Sequence, residues 1–78
     1  MHDVAEQVKT VILDHLDLEP GQMMEEDNLY DLGADELDII DIMFGLQARF
    51  HIEILEEDFM HHLTVGKVIA YIHTRTSV

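Results

Sequence analysis

Apolar residues return at helical spacing in three stretches of this chain. Val4, Val8, Val11, Ile12 and Leu16 fall on one side of a helix over about residues 3–16. Asp3 is placed to cap its start, and Asp14 and His15 lie on its wet side. Residues 35–50 repeat differently. Leu37, Ile40, Phe44 and Gln47 form one stripe, while Ile39, Ile42, Met43, Leu46 and Phe50 form another. That is more apolar surface than a core-facing helix requires. Asp35 and Asp38, just after Gly33, have the spacing of a capping box. The last helix opens at Thr64, a good N-cap, and carries Val65, Val68, Ile69 and Ile72 on one face. Arg75 near its end suits the helix dipole.

The connections are uneven. Residues 17–34 hold the Pro20-Gly21 turn signal, and Met23, Met24, Leu29, Tyr30 and Leu32 suggest a loop that packs on the core. Residues 51–55 read as a short extended stretch, and residues 56–61 as one or two helical turns. No strand-period alternation and no internal repeat is long enough to matter. The pattern predicts an all-α protein, a small four-helix bundle of three main helices and one short one, with a long loop between the first two. Seventy-eight residues suit one domain, residues 1–78, with a small core. Met43 belongs to that core, and Met23, Met24 and Met60 read as loop packing.

Charge narrows the function classes. Seventeen acidic residues oppose four basic ones, for a net charge of −13. Such a chain repels phosphate backbones and anionic lipid, so neither nucleic acid nor membrane is an expected partner. The same repulsion favours a monomer. No basic start, continuous apolar run or membrane-length segment is visible, so the expected location is cytoplasmic. No cysteine is present, and no nucleophile–base pair or phosphate loop suggests an enzyme. Between residues 10 and 48 there is no lysine or arginine, while Asp35, Glu36, Asp38 and Asp41 cluster at the start of the second helix. Leu37, Ile40 and Phe44 lie beside them. An acidic rim around an apolar stripe complements a basic, grooved protein surface.

Six histidines are many for this length, but no HxxH or HxxxH spacing occurs. They read as surface and helix-end residues, with His73 near a helix C-terminus. No specific metal site is expected. Weak Ca or Mg binding by the acidic clusters, as a counter-ion, is the expected cation chemistry.

The run Asp31-Leu32-Gly33-Ala34-Asp35-Glu36-Leu37-Asp38 closely resembles the signature of the acyl carrier protein family, D-L-G-A-D-S-L-D. The resemblance extends over nearly the whole chain, through Phe50-x-x-Glu53-Ile54 to Thr64-Val65. It implies a four-helix bundle sheltering an acyl chain. It also implies a 4′-phosphopantetheine arm on the signature serine. Acids of the second helix would dock onto basic patches of synthases, reductases and transferases.

This chain departs from that pattern at the arm. The serine position holds Glu36, which has no hydroxyl to attack the phosphoanhydride of coenzyme A. The only serine is Ser77, and Thr10, Thr64, Thr74 and Thr76 lie outside any such motif. No 4′-phosphopantetheine is therefore expected here. Gln47-Ala48-Arg49 stands where the family continues with acids, and Phe44 where methionine is common. Glu36 reads as simple loss of the serine, as a permanent anion mimicking the arm's phosphodiester, or as a deliberate replacement.

The expectation is a non-catalytic carrier-like module that acts as scaffold, regulator or decoy. It would dock to an enzyme of acyl transfer, fatty-acid or polyketide synthesis through Asp35, Glu36, Leu37, Asp38, Ile40, Asp41 and Phe44, with Ile54 and Glu56 as a second contact. One alternative is a genuine carrier of fatty-acid or polyketide-type biosynthesis whose attachment serine has been replaced. A weaker one is a non-covalent acyl-chain binder lined by Val8, Ile12, Met43, Leu46, Ile54, Ile69 and Ile72.

Overall fold

The computed structural model describes residues 3–76. Four helices follow one another: α1 Val4–Leu16, α2 Glu36–Phe50, α3 Glu56–Phe59 and α4 Val65–Thr76, with a single 3-10 turn at Pro20–Gln22. The boundaries follow local chemistry. Asp3 caps α1 by accepting from Glu6 N at 2.8 Å. The 3-10 turn starts at proline, whose missing N–H costs nothing at a helix start. Thr64 Oγ1 accepts from Lys67 N at 3.2 Å at the start of α4. Both α1 and α2 end on a left-handed residue, Asp17 at φ 56° and His51 at φ 55°, where glycine would carry no steric cost.

Helix α1 packs against both α2 and α4, and α3 packs against α2. Val8 and Ile12 from α1 meet Ile39, Ile42, Met43 and Leu46 from α2, and Val65, Val68, Tyr71 and Ile72 from α4. Phe59 supplies the core side chain of the short α3 and is fully buried. Ile69 packs only at the margin.

The long first loop is built onto this core. Leu29 is fully buried, and Met23 and Leu32 pack against the cluster. Its backbone is tied to the start of α4: Leu29 N donates to Leu63 O at 2.9 Å, Val65 N to Asp27 O at 2.9 Å, and Gly66 N to Glu25 O at 2.8 Å. A Cβ at position 66 would sit 3.2 Å from Glu25 O, so glycine allows this approach. Met24 and Tyr30 are corrections to the expected loop packing. They stand 60% and 46% exposed, because the anchoring falls to Leu29 and the backbone.

Candidate functional site

The acidic end of α2 is positioned by its own cap. Residues 28–34 turn tightly, with Gly33 N donating to Tyr30 O at 3.1 Å and Ala34 N to Leu29 O at 3.1 Å. Gly33 has φ +102°, a conformation that side-chain-bearing residues rarely adopt. Ala34, 5% exposed, plugs this turn into the core. Asp35 then sits extended as N-cap. Asp38 N donates to Asp35 Oδ1 at 2.8 Å, and Asp35 N donates back to Asp38 Oδ2 at 3.0 Å. This reciprocal pair is the expected capping box, formed with aspartate at N3.

Glu36 is the first residue of α2 and is exposed. Leu37 is 71% exposed and Phe44, two turns on, 55%. Ile40 is half-buried between them and Asp41 is exposed. The second stripe of the helix, through Ile39, Ile42, Met43 and Leu46, is buried. Helix α2 thus buries one apolar stripe and leaves the other to solvent, beside carboxylates.

Asp38 differs from its neighbours. Besides the cap, its Oδ1 lies 3.1 Å from His15 Nε2 at the end of α1. The backbone N–H of Asp35, followed by the bond to His15, holds its carboxyl below the usual carboxylate range. Asp41 Oδ2 lies 4.0 Å from the same imidazole. His15 was expected only on the wet side of its helix. No spacing rule links residues 23 apart, so its reach to α2 has no local signal.

Ile54 does not belong to the exposed face. It is 4% exposed and part of the core. Its N–H donates to Gln47 Oε1 at 2.8 Å, which turns residues 51–55 so that Ile54 points inward. Leu55 takes the outward place at 52% exposure, followed by exposed Glu56 at the start of α3. Gln47 is therefore an internal brace, and Arg49 reaches α1 through Gln7 Oε1 at 3.3 Å.

At the other end, Asp58, His62, Lys67, Ala70, Tyr71, Thr74 and Arg75 line an open depression of about 470 Å³. Arg75 lies 4.3 Å over the Tyr71 ring and pairs with Asp58 at 3.6 Å. Among the described residues, no three histidines or carboxylates converge to hold a metal ion, and no helix is long and apolar enough to cross a membrane.

A family model described as the phosphopantetheine attachment site matches residues 6–72. An acyl carrier protein from Wolinella succinogenes is 36% identical over 72 residues, covering 91% of this chain and 95% of the relative. One from Caulobacter vibrioides is 33% identical over 78 residues, covering 99% and 100%. One from Zymomonas mobilis is 37% identical over 73 residues, covering 92% and 94%. The chain belongs to the acyl carrier protein family.

The four-helix bundle and the acidic α2 are thus features of a member of that family. At the first residue of α2 this acyl carrier protein relative offers the carboxylate of Glu36. The described threonines lie away from the signature and hydrogen-bond within their own helices. Thr10 Oγ1 donates to Glu6 O at 2.9 Å, Thr74 Oγ1 to Tyr71 O at 2.8 Å and Thr76 Oγ1 to Ile72 O at 3.1 Å. Thr64 serves as a cap. Ser77 lies outside the described residues. The donor set at the signature does not fit the arm.

Proposed function

We propose that this chain is a non-catalytic carrier-family module. It docks through the acidic face of α2 onto a basic surface of an enzyme of acyl transfer, or of fatty-acid or polyketide synthesis, and carries no arm at position 36. The observation that supports this is Glu36, exposed at the start of α2 within a signature otherwise kept, with Leu37 and Phe44 exposed beside it. Asp35, Glu36, Asp38 and Asp41 steer and orient a basic partner, while Leu37, Ile40 and Phe44 anchor it. Glu36 gives the helix terminus a fixed negative charge, as the family's arm phosphodiester would. A partner then meets a loaded-like surface without cargo, which suits a scaffold, regulator or decoy.

The relatives' shared name, acyl carrier protein, supports a second reading: a genuine carrier whose serine has been replaced. One experiment tests the recognition surface that both readings share. The chain and its Glu36→Ser variant are incubated with coenzyme A and a broad-specificity phosphopantetheinyl transferase, and intact mass is measured. We expect only the variant to gain the arm. Replacing Asp38 and Asp41 by lysine in that variant should slow transfer and flatten its salt dependence. If neither protein gains the arm, the surface has diverged from carrier recognition. A gain on the unaltered chain would overturn the proposal.

A further inference from the structure

His15 closes the last turn of α1 and reaches across to α2, 3.1 Å from Asp38 Oδ1 and 4.0 Å from Asp41 Oδ2. It is the only histidine between residues 10 and 48, a stretch with no lysine or arginine. Among the described residues, the ion pairs to acids of α2 come from His15, on another helix. Its side chain is 30% exposed, so solvent protons reach it. Asp38 and Asp41 face it from α2, and Asp14 and Asp17 flank it along its own chain. The ion pair of α4, between Arg75 and Asp58, lies elsewhere.

The geometry points to His15 as a proton-controlled counter-charge that regulates access to the docking face. The imidazolium occupies Asp38 and Asp41 and competes with a partner's cations, and the neutral ring releases them. This rests on the docking reading above. Imidazoles change charge between about pH 5 and 8. Asp38, held below the usual carboxylate range, stays anionic through that interval, so the pair switches through the imidazole. The carbonyls ending α1 add to the attraction for a cation there. A neutral ring can still donate an N–H to the Asp38 carboxylate, but it no longer offsets the negative charge there. An exposed pair of this kind changes a partner's affinity by about two- to fivefold.

The test titrates the isotope-labelled full chain with a lysine octapeptide at low salt, near pH 5.5 and near pH 8. Binding is read by NMR at the amides of Asp38 and Asp41, with Glu25 and Glu26 reporting the general change in net charge. Relative to that reference, we expect binding at Asp38 and Asp41 to be about two- to fivefold weaker at the acidic pH. The difference should vanish in His15→Gln. His15→Lys should bind weakly at both pH values. The same pH response at all four amides, a His15→Gln variant that keeps the difference, or no binding at Asp38 and Asp41 would each overturn the inference. The peptide reads His15 whatever the biological partner is. Failed arm transfer to Glu36→Ser would remove the docking reading and leave this result standing, whereas a flat peptide titration would do the reverse.

Discussion

Phe44 on α2 and Tyr71 on α4 are aromatic residues of one small bundle, and they are treated in opposite ways. Tyr71 is 8% exposed. Arg75 lies over its ring, His62 packs 5.1 Å from it and Phe59 meets it edge-on at 6.2 Å. Phe44 is 55% exposed, and among the described residues no cation or aromatic ring stacks on it. The difference follows the distribution of charge. Lys67 and Arg75, two of the chain's four basic residues, lie along α4 and line the depression at Tyr71. Helix α2 has acids at its start and nothing basic before Arg49. Where the chain owns a long cationic side chain, it covers its aromatic surface itself. On α2 that cover is left to come from outside, and His15 reaches only the carboxylates of Asp38 and Asp41.

The comparison can be broken most forcefully in the core. Phe59→Ala should cost about 3–5 kcal/mol in urea unfolding. That approaches the whole stability expected of so small a domain. Phe44→Ala should change stability by less than about 0.5 kcal/mol, yet slow arm transfer to the Glu36→Ser variant about tenfold, as loss of an interface anchor does. A Phe44→Ala variant that unfolds like Phe59→Ala would show α2's outer stripe to be structural.

The tyrosine end gives a smaller effect of opposite sign. Tyr71 Oη is buried without a hydrogen-bond partner. Tyr71→Phe removes an unsatisfied hydroxyl and should raise stability by about 1 kcal/mol. Arg75→Ala should lower it by about 0.5–1 kcal/mol through loss of the stacked cation. Destabilisation by Tyr71→Phe would reveal a partner for the hydroxyl, such as an internal water.

The smallest effect concerns pH. The lowered pKa of Asp38 means that its ionised form is favoured in the folded state. Its contribution is present above the ordinary value of 3.8 and is lost as pH falls through the lower folded value. The melting-temperature gap between the wild type and Asp38→Ala should therefore be present above about pH 4 and narrow below it. A gap constant down to pH 2 would assign the effect to backbone geometry instead.

Much of this molecule is legible in a dozen residues at a time. The helix limits follow from periodicity and from Asp3, Asp35 and Thr64, because capping bonds join residues three apart. The two stripes of α2 follow from helical spacing, and the signature places Glu36 at the start of that helix. The family assignment draws on the same runs of consecutive positions.

Other features depend on how the elements are turned against one another. Ile54 and Leu55 are equally apolar neighbours, and only the brace from Gln47 decides that Ile54 enters the core and Leu55 faces solvent. Met24 and Leu29 share one loop, yet only Leu29 finds the core. His15 meets Asp38 across 23 residues because α1 packs on α2 in one rotational phase. Local hydrogen bonds and helical repeat are written in sequence spacing. Contacts between elements arise only when burial of the apolar stripes sets each helix's rotation, and that choice is made by the whole core at once.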